Sequence, residues 1–284
     1  MNKIIKCIIC SSSAYPYFKY NDIFKIKIDI FKCINCGHGF HIKKYSDKQY
    51  RDIYAKDYAK SYIGSKTDKA FNKRLQQYDL DVKNLIRIIK NNKLSVLDYG
   101  CSTGNYLSAM PRSWSKHGYE INKTEIEYIK KNKKNIKIYE EVSLINKKFD
   151  IITMRGVIEH IQDHKNLLNF LNNKIKKNGY LYISATPDFS CVAASLYKDN
   201  WNQTICPQHI HQFSATSLSL MLAKSGLVML DMQHSYHETP YANWQLDKKH
   251  FLKNFEGIKK GEKLKNASHA FPGTMISALF QKIK

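Results

Sequence analysis

The chain has 284 residues, 43% of them hydrophobic and 12% aromatic, enough to bury the core of one large domain with a small module beside it. No apolar run approaches the roughly 18–20 residues of a membrane span, so disordered and membrane-spanning chains are excluded. The 46 basic against 24 acidic residues give +22, a balance that attracts nucleic acid, anionic lipid or phosphorylated compounds.

Only five of the basic residues are arginine (Arg51, Arg74, Arg87, Arg112 and Arg155), and arginine is the better bidentate reader of phosphate. The lysines are scattered from Lys3 to Lys284 in a chain also rich in Asn, Ile and Tyr, the pattern that AT-rich coding writes on permissive surfaces. Nucleic acid is therefore not the expected partner. Met1 to Cys10 holds short apolar pairs and no small-residue cleavage site, which does not read as a signal peptide and sets the expectation of a cytoplasmic protein.

Two C-x-x-C pairs, Cys7/Cys10 and Cys33/Cys36, stand 22 residues apart. Each pair can present two thiolates to one tetrahedral ion, and the spacer suits a hairpin that joins them. Phe24 to Ile30 alternates apolar and polar residues as a half-buried strand does, and Gly37-His38-Gly39 reads as a turn with His38 exposed. The expectation is a zinc ribbon over residues 1–45, with a structural Zn²⁺ on Cys7, Cys10, Cys33 and Cys36. A redox pair needs one C-x-x-C in a βαβ context instead. So small a module has too little core to fold without its metal.

Residues 46–92 read as a helical linker or lid. Tyr50, Tyr54, Tyr58 and Tyr62 recur every four residues, one helix face, and Asp79 to Lys90 forms a second helical pattern. From residue 93 strands and helices alternate, as in a parallel, doubly wound α/β sheet. Strands are expected at Leu94–Asp98, Trp114–Glu120, Phe149–Met154, Gly179–Ala185, Leu227–Met232 and Met275–Ile283. Helices are expected around Leu167–Leu171 and Ser217–Ser225. Residues 233–274 lack clear periodicity and are expected to form a substrate insertion.

Ligands of such sheets sit at the carboxyl ends of the strands. The first turn reads Asp98-Tyr99-Gly100-Cys101-Ser102-Thr103-Gly104, D-x-G-x-x-x-G, which differs from a dinucleotide fingerprint and offers no pyrophosphate loop. It resembles motif I of the class I S-adenosylmethionine-dependent methyltransferases, D/E-x-G-x-G-x-G, with Ser102 where the middle glycine lies. His117-Gly118-Tyr119-Glu120, Phe149 to Met154 followed by Val157-Ile158-Glu159-His160-Ile161, the Lys177-Asn178-Gly179 turn, and His209 to Ser214 resemble later family segments in order. The resemblance covers most of residues 46–284 and implies a Rossmann-like seven-stranded sheet. It implies S-adenosylmethionine held by Asp98, Gly100, Cys101, Ser102, Gly104, Glu120, Ile121, Met154 and Arg155, with Glu120 on the ribose. His160 and His209 are the candidate bases, with Glu159 beside them, because histidine titrates near neutral pH. In relatives that methylate quinone precursors a similar Glu-His pair holds magnesium with a glutamate three residues earlier; here that place is Gly156. Trp201 and Trp244 are expected near the acceptor.

A ribbon ahead of this pattern is similar to bacterial sugar methyltransferases acting on nucleotide-linked deoxysugars or surface polysaccharide. Their C-methylating members carry a further C-terminal domain, whereas this sequence ends at the seventh strand, so the expected reaction is O-methylation of a sugar or glycan. The alternatives are an RNA- or protein-modifying methyltransferase that docks its polymer through the ribbon, and a noncatalytic zinc-ribbon binding protein. A nicotinamide oxidoreductase is disfavoured by the turn spacing. The oligomeric state is not read from sequence.

Overall fold

A computed structural model of the protein describes residues 4–53, 68–262, 264 and 270–283. The amino-terminal module contains β1 (Ile5–Lys6), β2 (Ser13–Asn21), β3 (Lys27–Cys33) and β4 (Gly39–Phe40). β2 and β3 form an antiparallel hairpin with Ala14 opposite Cys33 and Asn21 opposite Lys27. The strand expected from Phe24 begins only at Lys27. Asp22 Oδ1 accepts the Phe24 and Ile26 amides at 2.9 and 2.8 Å, and an aspartate that captures the chain in this way makes a turn of it. His38 is fully buried, against the expectation of an exposed turn residue; its ring stacks on Phe40 and His211.

The linker holds α1 (Asp47–Ile53) and α2 (Lys69–Ile88), the latter capped by Asp68, whose carboxylate accepts the Ala70 and Phe71 amides. Tyr54, Tyr58 and Tyr62 of the tyrosine stripe lie outside the described residues, and Tyr50 is described by its backbone alone. The large domain follows as β5 (Ser95–Tyr99), α3 (Asn105–Ala109), β6 (Ser115–Tyr119), α4 (Lys123–Asn132), β7 (Ile136–Tyr139), β8 (Phe149–Arg155), α5 (His164–Lys174) and β9 (Ile175–Pro187). It continues through α6 (Val192–Tyr197), β10 (His211–Gln212), α7 (Ala215–Ala223), β11 (Leu227–Gln233), α8 (Trp244–Lys259) and β12 (Met275–Lys282).

The large sheet has seven strands in the order β11-β12-β9-β8-β5-β6-β7. β5 to β9 are parallel, as the alternation requires. β12 corrects the all-parallel expectation: it runs antiparallel to both β9 and β11, because the segment after β11 returns the chain to the same end of the sheet. That segment contains the sixteen-residue α8, where no regular element was expected.

Successive side chains on the central strands alternate between two cores, as the pleat dictates. Val96, Ile151 and Tyr182 pack with Tyr78 and Leu85 of α2 and Leu107 of α3. Leu97, Ile152 and Ile183 pack with Leu171 of α5 and Leu222 of α7. The second cluster continues into Cys7, Ile9, Phe31 and Phe40 of the amino-terminal module. β10 completes the join by pairing with β4, His211 opposite Phe40, as the fifth strand of the small sheet.

Candidate active site

The order of strands changes direction around β5, and a cavity of ≈ 490 Å³ opens there, at the carboxyl ends of β5, β6 and β8. The turn after β5 is stitched to β6, since the Gly100 and Cys101 amides both donate to the Tyr119 carbonyl at 2.8 and 3.0 Å. Gly100 has φ +78°, and a Cβ there would stand 2.8 Å from Val157 Cγ2; only glycine brings the turn so close to that wall. Ser102, at the place of the missing middle glycine, also adopts a left-handed φ of 48°. Two bonds hold it there: its amide donates to Glu120 Oε2 at 2.9 Å and its hydroxyl to Glu125 Oε1 at 2.6 Å.

Glu120 ends β6 and also takes the Ile121 and Asn122 amides on Oε1 at 2.7 and 2.9 Å. A carboxylate accepts about four hydrogen bonds, so three main-chain donors aim this group into the cavity and leave acceptor capacity on Oε2. Four carboxyl groups line the space: Asp98, Glu120, Glu125 and Glu159, all buried. Burial raises Asp98, Glu125 and Glu159 each to about 7, because an ionised acid loses its hydration there. Thr153 donates to Asp98 at 2.7 Å and Thr186 to Glu159 at 3.2 Å, which offsets part of that rise.

Glu159 and His160 lie on the turn after β8, and His209 on the loop before β10. The structure brings all three together, with ligand-type atoms within 4.8 Å of one another and the two imidazoles edge to face at 4.7 Å. His160 Nδ1 meets the Gln208 carbonyl at 2.8 Å, and His209 Nδ1 the Gln203 carbonyl at 2.7 Å. A carbonyl only accepts, so each Nδ1 carries hydrogen and each neutral ring keeps its lone pair on Nε2. Burial lowers both histidines, His209 to about 3, so both are neutral at pH 7.

Asp98, Gly100, Cys101, Ser102, Glu120, Ile121, Arg155, Glu159, His160 and His209 all line this cavity. Two of the residues expected to hold the cofactor do not. Met154 is fully buried in the core, since alternation along β8 turns it away from the crevice. Gly104, at φ +71°, caps α3 and packs on Ile129 and Ile136. Trp201 and Trp244 are likewise absent from the linings of both cavities: Trp201 is core and Trp244 begins α8 at the surface.

A second cavity of ≈ 420 Å³ shares Arg155, Ala185 and Gln203 with the first. Arg155 Nε donates to Asp81 Oδ2 at 2.7 Å, the Gln77 amide donates to the other Asp81 oxygen at 2.9 Å, and the guanidinium lies 4.6 Å over the Tyr78 ring. Ala185 at the shared wall has φ 55°, the kind of left-handed strain that concentrates at functional sites. Asn202, Ser235, Tyr236, Thr239, Tyr241 and Phe271 complete most of the lining. Asp81 was missed in the sequence, although an acid beside the buried Tyr78, Val82 and Leu85 of an amphipathic helix is a visible anomaly. The loop residues carry no periodic signal at all.

In the small module Cys7 Sγ lies 3.6 Å from Cys36 Sγ, and Cys10 Sγ 3.4 Å from Cys33 Sγ, and all four sulfurs fall within 4.8 Å. Disulfide sulfurs stand about 2.05 Å apart, whereas thiolates at about 2.3 Å from a tetrahedral ion stand a little under 4 Å apart. The donor set and spacing fit such an ion.

A family profile described as a methyltransferase domain matches residues 47–231. No curated protein matches the sequence. Among solved structures, magnesium protoporphyrin IX methyltransferase from Synechocystis PCC 6803 with bound SAH is 11% identical, with 84% of this chain and 100% of that chain covered at a TM-score of 0.53. A SAM-dependent methyltransferase from Thermotoga maritima is 13% identical over 82% of this chain and 99% of that one, TM-score 0.50. The YcgJ protein from Bacillus subtilis is 16% identical over 72% and 99%, also at 0.50. These likenesses are likenesses of fold.

Proposed function

The chain belongs to the methyltransferase domain family, and from that premise we propose that this S-adenosylmethionine-dependent methyltransferase O-methylates a sugar, in a nucleotide-linked intermediate or a bacterial surface polysaccharide. When bound, S-adenosylmethionine supplies an electrophilic methyl group on a sulfonium cation. A cavity with four carboxyl groups in a protein of charge +22 favours a cationic ligand and repels a pyrophosphate. Glu120 offers its remaining acceptor capacity to the ribose hydroxyls, the Gly100–Ser102 turn and Ile121 flank the adenosyl part, and Asp98 and Arg155 close the methionine end. Cys101 lines the cavity within this turn, and Gly104 ends the turn as the cap of α3. Cys7, Cys10, Cys33 and Cys36 hold a structural zinc ion.

The observation that carries the acceptor reading is the second cavity. Its walls alternate amides, hydroxyls and aromatic faces, and Asp81 already neutralises its cation, Arg155. Such a chamber suits an uncharged, many-hydroxylated ring, whose edges take hydrogen bonds and whose faces stack. An acceptor hydroxyl reaching past Ala185 meets His160 and His209. Their neutral rings can take its proton, and Glu159, poised near 7, stabilises the imidazolium that results.

The test is incubation with S-adenosylmethionine and a panel of nucleotide-linked deoxysugars, read by mass spectrometry for the gain of one CH₂. His160→Ala is expected to lower turnover by about a hundredfold or more with affinity for S-adenosylhomocysteine unchanged. Methylation of bulk RNA or protein with every sugar untouched would replace the reading.

A further inference from the structure

α8 has two faces. Asp247, Phe251 and Asn254 (i, i+4, i+7) fix it to the domain: Asp247 accepts the Tyr236 hydroxyl at 2.6 Å, Phe251 stacks on Phe271 at 4.4 Å, and Asn254 donates to the Tyr197 hydroxyl at 2.9 Å. A second stripe, Trp244, Lys248, Leu252, Phe255 and Lys259, about a quarter turn round the helix from that face, follows the helical spacing i, i+4, i+8, i+11, i+15. Its apolar members are 43%, 51% and 40% exposed. Lys248 lies 5.9 Å over the Trp244 ring and Lys259 4.6 Å over Phe255. Lys249, Lys253 and Lys260 flank the stripe and are also exposed, against a single exposed helix acid, Glu256.

Large apolar groups interleaved with lysine on an exposed helix face mark an element that lies in a membrane interface. No described helix is long and apolar enough to cross a membrane, so the contact is with the surface. A second copy would oppose lysine to lysine, and nucleic acid offers nothing to bury Leu252. We propose that α8 docks on an anionic phospholipid surface, with Trp244, Leu252 and Phe255 entering the headgroup boundary and the lysines on the lipid phosphates. The helix also borders the second cavity: Trp244 is 6.2 Å from Phe271 and 6.3 Å from Tyr236, ring to ring, and both line it. Docking there brings that cavity to a membrane, whatever acceptor it takes.

Trp114 and Trp201 are buried and Trp244 is exposed, so a blue shift of emission on binding reports on α8. Full-length protein is to be sedimented with phosphatidylcholine vesicles, with and without about one-third phosphatidylglycerol. Binding to the anionic vesicles alone is expected, with a blue shift and a loss in high salt. The pair Leu252→Glu/Phe255→Glu, both at solvent, should bind about tenfold or more weakly with the thermal melt unchanged, and Lys248→Glu/Lys259→Glu should lose about as much. No vesicle binding by the unaltered protein overturns the proposal. So does binding without a Trp244 shift and unaffected by either pair, and so does a dimer that Leu252→Glu/Phe255→Glu abolishes while vesicles are ignored.

Discussion

At the scale of single residues the cavity beside β5, β6 and β8 is governed by the cost of burying acids. Asp98, Glu125 and Glu159 are each held near 7 by burial, far above their ordinary range, so the folded protein keeps protons that the unfolded chain releases. Their contribution to the stability of the empty protein therefore declines as pH rises from about 4.5 through 7, opposite in sign to that of the buried histidines, whose lowered values make stability rise with pH up to about 6.5. A sulfonium cation reverses the preference, because it favours the ionised acids. Affinity for S-adenosylmethionine should rise between pH 6 and pH 8, while S-adenosylhomocysteine, which lacks the sulfonium charge, should change little; about a three- to tenfold widening of the ratio is expected. Calorimetric titration of both ligands at the two pH values checks this, and a constant ratio refutes the electrostatic role. Most of this cavity was legible in the sequence because its members follow strand ends: Asp98, Gly100, Ser102, Glu120 and Glu159 are fixed by the strands before them. Met154 lies off the cavity wall because adjacency to a strand end does not fix which face a side chain takes. Asp81 and Gln203 reach the wall from elements remote in sequence, and no local pattern announces that.

At the scale of elements, strong periodicity translated well and weak periodicity did not. β5 and β8 fall where short apolar runs predict them, and β9 begins four residues ahead of its run, through the expected Lys177-Asn178-Gly179 turn, whereas α8 was read as irregular because its apolar residues lie on both faces, Phe251 inward and Trp244, Leu252 and Phe255 outward. β10 has two residues, and its partner β4 lies in another module, so nothing local could reveal it. The next helix shows how such a junction is secured. Ser214 forms a reciprocal capping box with Ser217 at the start of α7, and its hydroxyl also donates to the Cys36 carbonyl. Ser214→Ala removes the cap and leaves a buried carbonyl of the second C-x-x-C loop unmatched, an expected loss of about 2 kcal/mol. Ser217→Ala removes only its half of the box and should cost about 0.5–1 kcal/mol. Urea unfolding of both variants decides the matter: equal losses mean that the contact across the junction contributes nothing.

At the scale of the whole molecule the small module and the large domain share one structure, although the sequence presents them as separate units. The four cysteines gather within the module, but its outer strand β4 is completed by β10, and Lys224 at the end of α7 donates to the Ile9 carbonyl inside the first C-x-x-C loop. His38 and His211 stack at 5.4 Å, and His164 of α5 lies 4.0 Å from His211. All three are kept neutral by burial, His38 to about 3 and His164 to about 4, so they pack as aromatic core. Phe31 and Phe40 of the module lie in the same apolar cluster as Phe213, Leu218 and Leu222. A module joined by a strand pair, main-chain bonds and a common core unfolds with its neighbour instead of independently of it. A zinc ion held by its four cysteines, as proposed, would then contribute to the stability of the entire chain, because binding energy at a tetrahedral thiolate site is folding energy. Removing zinc with a chelator, or replacing Cys33 by Ser, should lower the melting temperature of the single calorimetric transition by about 10 °C, several kcal/mol for a domain of this size. A main transition left in place while a small, separate one disappears would show instead that the ribbon is an independent appendage.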